Sequence, residues 1–189
     1  MNEIKHLIIN SGSTKTPQIA DLLSKEGLDY TLIDLEKVTL DIFNSHDKII
    51  ISGAPILLHK EDPAPYIKLL SPLLELDKPV LGICFGHQML GILEGGKVTL
   101  TQEKRDQEAI HQLIIDPLFE EIPQDAEFIE DHCESVSITD HFLLLADSES
   151  CFNEAMKHKT KPWYGVQFHP EVSTTNGHQL IKNWLYFCS

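Results

Sequence analysis

Short apolar runs alternate with helix-forming segments through the first 95 residues, and this alternation limits the fold more than any other feature. The strand-like runs are "HLIIN", "DYTLIDL", "DKIIISG" and "KPVLGI". Aliphatic runs with little alternation are typical of parallel strands that helices cover on both faces. The helical segments are "PQIADLLSKEG", ended by Gly27, and "PAPYIKLLSPLLEL", with Asp62 as the expected N-cap and a kink or break expected at Pro72. The sequence therefore predicts an α/β fold, with an open, mostly parallel sheet flanked by helices.

From about residue 96 the segments become shorter, strand-like and joined by turns. They are "GKVTLT", "EAIHQLII", "AEFIED", "FLLLAD", "NEAMKHK" and "WYGVQFH", and a helix over "NGHQLIKNWLYFC" follows them. We interpret the strand-like segments as a mixed or antiparallel extension of the same domain. Since 189 residues without repeat, low-complexity tract or linker suit one core, a single domain over residues 1–189 is predicted.

Charge and cysteine usage exclude several classes of protein. A net charge of −14 argues against nucleic acid and anionic membranes as partners. No apolar run approaches the roughly 20 residues that span a bilayer, and "MNEIKHLIIN" lacks the layout of a signal peptide. The four cysteines are widely spaced without a C-x-x-C pair, so we expect neither disulfides nor a zinc site, and a cytoplasmic location. The adjacent pair His132 and Cys133 is too little for a metal site, so none is expected.

The stretch "GICFGHQML" places Cys84 at the turn between a predicted strand and a predicted helix. Its G-x-C-x-G pattern has the form of a nucleophile elbow, in which Gly82 and Gly86 relieve crowding around a tight turn. The N-terminus of the following helix favours a thiolate at the sulfur. The N–H group of Phe85 is in a position to hold an oxyanion. A buried structural cysteine is the alternative interpretation.

A cysteine nucleophile needs a base, and "GVQFHPEVS" supplies the best candidate among ten histidines. His169 ends a predicted strand, and Pro170 prevents that strand from continuing. Glu171, two residues further on, could accept a hydrogen bond from one imidazole nitrogen while the other nitrogen faces the thiol. By itself this pattern is weak evidence; together with the Cys84 elbow it favours a Cys-His-Glu triad.

The three motifs together resemble the class I (triad) glutamine amidotransferases over essentially the whole chain. "GICFGHQML" with "GGKV" is similar to the nucleophile segment of that family, "YGVQFHPEV" to its His/Glu segment, and "IIISGAP" to its oxyanion loop, usually S-G-G-P. The resemblance implies a flavodoxin-like fold with Cys84 as nucleophile, His169 as base and Glu171 as its orienting partner. It also implies that the N–H groups of Gly53 and Phe85 form the oxyanion hole. Gln88 would help to hold glutamine, and Ala54 replaces the second glycine of the loop.

The segment from residue 154 onward looks closest to the glutaminase subunits of two-subunit GMP synthetases. The implied activity is hydrolysis of the glutamine side-chain amide through a cysteine thioester, with ammonia passed to a separate synthetase, most simply for GMP synthesis from XMP. The implied partner is a synthetase of the ATP pyrophosphatase type that carries ATP and Mg²⁺, while this chain needs no cofactor. "NSGSTKTP" at residues 10–17 lacks the spacing of a Walker loop.

Residues 101–110 and 131–136 depart from the pattern of that group, and three alternatives stay open. The chain could serve another synthetase, such as anthranilate or aminodeoxychorismate synthase. It could be a stand-alone hydrolase of γ-glutamyl compounds, or a catalytically silent regulatory module. The complete set Cys84, His169 and Glu171 argues against the silent module.

Overall fold

The computed structural model describes residues 4–188, which form strands and helices in the predicted α/β order. The strands are β1 His6–Asn10, β2 Tyr30–Asp34, β3 Lys48–Ile51, β4 Val80–Ile83, β5 Val98–Lys104, β6 Gln107–Ala109, β7 His111–Gln112, β8 Glu127–Ile129, β9 His132–Val136, β10 Phe142–Asp147, β11 Ala155–His158 and β12 Trp163–Val166. The α-helices are α1 Thr16–Lys25, α2 Leu40–Asn44, α3 Ala64–Leu70, α4 Phe85–Leu93 and α5 Thr174–Phe187.

Eight strands form the main sheet in the order β2-β1-β3-β4-β12-β11-β10-β7. The first five are parallel to their neighbours, whereas β11, β10 and β7 continue the sheet in antiparallel pairs. Two small antiparallel sheets, β5 with β9 and β6 with β8, lie outside it. The predicted fold class, a mostly parallel sheet with an antiparallel extension, is confirmed.

Strand β1 shows why the central strands lack polar alternation. Its residue Ile8 belongs to the core cluster that includes Ile19 and Trp184 of helices α1 and α5. Leu7 and Ile9 belong to the cluster on the other face, beneath helices α3 and α4. Because both faces are covered, every second residue meets a different apolar layer and both sets must be hydrophobic.

The predicted break at Pro72, in the second helical segment, is confirmed. Helix α3 ends at Leu70, and a 3₁₀ turn over Ser71–Glu75 follows, with Pro72 at its start. Proline has no N–H group to continue the α-helical ladder, so the chain tightens there instead. Strand β9 and the short helix α2 were not predicted, and the run "EAIHQLII" contains two short strands, β6 and β7, that pair in different sheets.

Within residues 4–188, no helix combines the length and the apolar character that crossing a membrane requires.

Candidate active site

The adjacent parallel strands β4 and β12 bring Cys84 and His169 to the same edge of the main sheet. The strands are in register from Trp163 opposite Val80 to Val166 opposite Ile83. Cys84 follows β4 directly, and its N–H group donates to the Val166 carbonyl at 2.8 Å. His169 follows β12 by three residues. The carboxyl ends of parallel strands are where open α/β sheets place their sites, and these two residues occupy that position.

Cys84 has the strained backbone of a nucleophile elbow. Its φ angle is 50°, in the left-handed region that residues other than glycine rarely adopt, and helix α4 begins at the next residue. A Cβ atom on Gly82 would lie 2.5 Å from the backbone carbon of Gly86. A Cβ on Gly86 would collide with the carbonyl oxygen of Ile51. Both glycines are therefore required by backbone packing at the turn, as the G-x-C-x-G pattern predicts.

His169 and Glu171 form a buried hydrogen-bonded pair beside the elbow. His169 Nδ1 donates to Glu171 Oε1 at 2.8 Å, and both side chains are almost completely buried. Burial lowers the pKa of His169, but hydrogen bonds to Cys84 and Glu171 outweigh it and raise this pKa to about 10. The pair therefore favours an imidazolium facing the sulfur, with Glu171 fixing the ring.

A set of backbone contacts holds the turn that carries His169. The His169 N–H donates to the Ile129 carbonyl at 2.8 Å, and the Ile129 N–H donates to Ser173 Oγ at 2.8 Å. Ser173 Oγ in turn donates to the His169 carbonyl at 2.6 Å. Strand β8 and Ser173 thus fix the backbone of the proposed base from both sides, a role for Ser173 that sequence reasoning missed.

Gly53 lies directly against the side chains of Cys84 and His169. A Cβ atom added to Gly53 would lie 3.0 Å from His169 Cε1 and 3.6 Å from Cys84 Cβ. Ser52 Oγ donates to the Gly53 carbonyl at 3.0 Å and accepts from the Ser11 N–H at 2.9 Å, which orients this peptide. Phe85 is the first residue of α4, so its N–H has no carbonyl one turn back in the helix and is free to point at an oxyanion. Both groups predicted for the oxyanion hole therefore adjoin Cys84.

Ala54, which replaces a glycine in the resemblance, causes no backbone strain. It is not among the positive-φ residues of the described chain, and its half-buried side chain packs at the edge of the core. A methyl group is therefore accommodated at this position of the loop.

Gln88 is buried on the first turns of α4 and lines the cavity above Cys84. Its Nε2 donates to Gln167 Oε1 at 3.1 Å. Gln167 Nε2 donates in turn to Cys84 Sγ at 3.5 Å. Sequence reasoning named Gln88 and missed Gln167, although an uncharged polar residue in the apolar strand end "YGVQF" is a signal that could have drawn attention to it.

A cavity of about 320 Å³ opens above Cys84, and its far side is charged. Asp131 there accepts hydrogen bonds from Lys15 and Arg105. The Glu134 carboxylate points away into the protein, where the Leu58 and His59 N–H groups donate to it. The cavity thus combines a thiol at one end with a cation and a half-buried carboxylate at the other. Arg105, Asp131 and Glu134 come from segments 101–110 and 131–136, which depart from the resemblance.

Comparison with known proteins identifies the family of the chain. The family model of the class-I glutamine amidotransferases matches residues 7–187. A subunit of the GMP synthase (glutamine-hydrolysing) of Pyrococcus abyssi is 39% identical over 144 residues, which cover 74% of this chain and 74% of that protein. The corresponding GMP synthase subunit from Methanosarcina barkeri is 33% identical, with 100% of this chain and 98% of that protein covered.

A solved structure from Thermoplasma acidophilum, described as a GMP synthase subunit, shares the fold with a TM-score of 0.90. It is 23% identical, and the match covers 100% of this chain and 95% of that chain. The chain therefore belongs to the class-I glutamine amidotransferases and is an enzyme of that family, close to the glutamine-hydrolysing subunits of GMP synthases.

Proposed function

We propose that the chain hydrolyses the side-chain amide of glutamine through a Cys84 thioester and delivers the ammonia to a separate synthetase that makes GMP from XMP. The observation that carries the proposal is the strained Cys84 elbow beside the buried His169–Glu171 pair. The identity of 33–39% to the GMP synthase subunits of Methanosarcina barkeri and Pyrococcus abyssi supports the nucleotide product.

In the first half of the reaction the Cys84 thiolate attacks the amide carbon of glutamine. The carbonyl oxygen becomes an oxyanion that the N–H groups of Gly53 and Phe85 would stabilise, and one such donor is typically worth about 3 kcal/mol. The His169 imidazolium donates its proton to the nitrogen, the C–N bond breaks, and ammonia leaves a thioester on Cys84. The raised pKa of His169 suits this step, since the ring holds the proton that the leaving group needs.

In the second half of the reaction water replaces ammonia. Neutral His169 takes a proton from the water as it attacks the thioester carbon, the same oxyanion contacts form again, and the C–S bond breaks. Glutamate leaves, and the thiolate and imidazolium are restored. Glu171 accepts the hydrogen bond from Nδ1 throughout, which directs Nε2 to the reacting atoms.

The charged side of the cavity suits the amino-acid end of glutamine. Free glutamine carries an ammonium and a carboxylate, which Asp131 and Arg105 could pair with if their own ion pair rearranges. Gln88, beside the thiol, would contact the amide end. Glutamine would then span the cavity with its side-chain carbonyl directed at Cys84.

The hydrolysis requires no cofactor from this chain, whereas activation of a nucleotide requires ATP. We propose that a synthetase of the ATP pyrophosphatase type, on another polypeptide of the cytoplasm, supplies ATP and Mg²⁺. The loop at residues 10–17 is consistent with ATP binding on the partner, because its Lys15 forms an ion pair with Asp131 of the cavity. The acidic surface, with 29 acidic against 15 basic residues, would favour a basic contact region on that partner.

The test is a measurement of glutamate release by the chain alone and with the synthetase loaded with ATP and XMP. We expect a low rate alone and an activation of about 5- to 150-fold, the range that a coupling of 1–3 kcal/mol gives. The activation should weaken as salt screens the contact. Full activity alone, unchanged by the synthetase, would instead identify a stand-alone hydrolase, and activation only by an anthranilate-type synthetase would change the acceptor.

A further inference from the structure

Three glutamates meet in the interior behind the turn that carries His169. Glu108 lies on β6, Glu130 in the connection from β8 to β9, and Glu154 directly before β11. At least one carboxylate oxygen of each lies within 4.8 Å of the others. Glu130 and Glu154 are fully buried. His132 adjoins this glutamate cluster, with Nε2 at 3.1 Å from Glu130 Oε2.

Most polar atoms that face the interior of this cluster lack a hydrogen-bond partner among the described residues. They are both carboxylate oxygens of Glu130, Oε2 of Glu154 and both ring nitrogens of His132. The contact between His132 and Glu130 is close, but it lacks the alignment of a hydrogen bond. Buried polar atoms are almost always paired, and leaving one unpaired costs about 1–3 kcal/mol. The unpaired oxygens of Glu130 and Glu154, with the unpaired Nε2 of His132 beside them, form a lining that a bound species would satisfy.

The remaining oxygens of the cluster are held by hydroxyl groups. Ser148 Oγ donates to Glu154 Oε1 at 2.7 Å and to Glu108 Oε2 at 3.2 Å. The Ser150 N–H donates to Glu108 Oε1 at 3.2 Å, and its hydroxyl also contacts this carboxylate. Outer contacts of this kind orient the ligands of metal sites, while the inner oxygens stay available.

The charge of the cluster points to a cation. Within residues 4–188, no Lys or Arg forms an ion pair with any of the three carboxylates. Lys104, the last residue of β5, pairs with Asp106, and Arg105, which follows it, pairs with Glu103 and Asp131. Glu130 and Glu154 are fully buried, and Glu108 is half-buried. Carboxylates this close to one another, without a basic side chain in contact, need a positive ion or shared protons.

We propose that Glu108, Glu130, Glu154 and His132 bind one divalent transition-metal cation, Mn²⁺ or Zn²⁺, which stabilises the frame of the active site. Carboxylate oxygens suit Mn²⁺ and imidazole suits Zn²⁺, and a mixed set serves either ion. Cys151 Sγ lies close to His132 and Glu154 but donates to Ser135 Oγ at 3.2 Å. This hydrogen bond directs the thiol towards Ser135, and we leave Cys151 outside the ligand set.

The site adjoins the catalytic residues through the backbone. The Glu154 carbonyl accepts from the Gln167 N–H at 2.8 Å, and Ile129, next to Glu130, accepts from the His169 N–H. A cation that joins Glu108, Glu130 and Glu154 would therefore fix the two carbonyl groups, of Glu154 and Ile129, that hold the segment from Gln167 to His169. It takes no part in the thioester chemistry.

Spacing along the sequence could not reveal this site, because its ligands come from separate segments at residues 108, 130–132 and 154. No metal site was predicted from the sequence, because His132 was considered only as a neighbour of Cys133. In strand β9 these neighbours have separate surroundings: Cys133 lines the cavity with Cys84, whereas His132 also meets the glutamate cluster.

The test uses the full chain after removal of metals with a chelator, followed by equilibrium dialysis against Mn²⁺ or Zn²⁺ and metal analysis. We expect one equivalent per chain and a rise in the unfolding midpoint when metal is returned. Glu130→Gln should weaken the affinity at least tenfold and abolish the rise of the midpoint. If Glu130→Gln does not fold, the same measurements are made on Glu108→Gln, which changes a half-buried position.

Three control variants distinguish metal binding at the glutamate cluster from metal binding elsewhere in the chain. Glu127→Gln, on the exposed side of β8, should leave binding unchanged. His141→Gln removes a member of the separate group Glu94, His141 and His158 and should also bind one equivalent. Cys84→Ala should retain the metal as well, because the catalytic thiol is not a ligand.

The proposal is overturned if the stripped chain takes up neither ion at stoichiometric ratio. It is also overturned if Glu130→Gln and Glu108→Gln bind as tightly as the unaltered chain, or if Cys84→Ala loses the metal. Without a metal, Glu130→Gln should be at least as stable as the unaltered chain, since it removes a buried ionisable group.

Discussion

Gln167 Nε2 donates to Cys84 Sγ at 3.5 Å, while Gln167 Oε1 accepts from Gln88 Nε2 at 3.1 Å. One buried amide thus joins the proposed nucleophile to the residue expected to contact the substrate. Because the amide N–H points at the sulfur, it restricts the direction in which the sulfur can point.

Replacement of Gln167 by leucine should therefore slow the chemistry. A hydrogen bond to a charged acceptor is worth about 1.5–3 kcal/mol, so we expect kcat to fall by roughly 10- to 150-fold in Gln167→Leu. Steady-state glutaminase kinetics measure it, with Gln107→Leu on the exposed strand β6 as control. An unchanged kcat with a raised KM would mean that Gln167 acts only through Gln88 on substrate binding.

A glutamine-mimicking electrophile should label Cys84 alone. Burial raises the pKa of Cys188 to about 11 and moves the pKa of Cys133 and Cys151 upward as well, so these thiols are poor nucleophiles. Cys133 is the cysteine with which the electrophile could react instead, because it lines the same cavity as Cys84. Peptide mapping by mass spectrometry decides the question. Cys133→Ala should be labelled as fast as the unaltered chain, and modification at residue 133 or 151 would contradict the assignment of the nucleophile.

His169→Ala should abolish turnover with the fold retained. A general acid–base typically contributes 10²- to 10⁴-fold, and we expect a loss in that range or beyond it. Glu171→Gln should cost less, since Glu171 orients the ring rather than transferring protons. Rates in the synthetase-activated complex, together with circular dichroism, measure both effects. His111→Ala, an exposed histidine paired with Asp125, is the matched control. A near-normal rate in His169→Ala would refute the triad.

Stability should fall with pH across the range that His169 titrates. Its folded-state pKa of about 10 lies above the reference value of 6.5, so the folded chain binds the proton more tightly than the unfolded chain. The stabilisation is complete below about pH 6.5 and is lost as pH rises through about 10. Thermal unfolding from pH 6 to 10.5 should show a steeper decline for the unaltered chain than for His169→Ala. Equal slopes would show that His169 does not hold the proton.

The neighbours Gly53 and Ala54 provide a matched pair of substitutions at the proposed oxyanion loop. Gly53→Ala places a methyl group 3.0 Å from His169 Cε1, so the imidazole must move by a few tenths of an ångström. Misplacement of a reacting group by about 1 Å can cost 10²-fold, and we expect a loss of roughly tenfold in kcat with little change in stability. Ala54→Gly should be nearly neutral. Equal rates in both variants would show that Gly53 does not limit the geometry.

The local sequence pattern was sufficient to predict structure at positions where burial on both faces of a strand, or crowding of the backbone, dictates the residue type. Strands β1, β3 and β4 are apolar on both faces, and the two glycines around Cys84 are required by contacts that any tight strand-to-helix turn creates. Strand β9, "HCESV", was missed because His132, Glu134 and Ser135 interrupt an apolar pattern, although His132 and Glu134 are buried. Glu134, for instance, accepts from the N–H groups of Leu58 and His59.

Features assembled from distant segments could not be predicted from one sequence. The contact of Asp131 with Lys15 joins residues 116 positions apart. The glutamate cluster joins three separate segments, and no spacing rule relates their positions. Gln167 was accessible in principle, as a polar residue next to a buried strand, but its contact with Cys84 depends on the pairing of β4 with β12.

Strand β12 lies between β4 and β11 in the sheet, although about 80 residues separate it from β4 in the chain. A chain that has been synthesised only as far as β11 contains Cys84 but not His169, the proposed base. Its main sheet also lacks the strand that joins β4 to β11. In the folded chain, residues 163–166 fill the place between β4 and β11, and His169 and Glu171 follow shortly after them. Completion of the main sheet and placement of the proposed base beside Cys84 therefore depend on the same short segment.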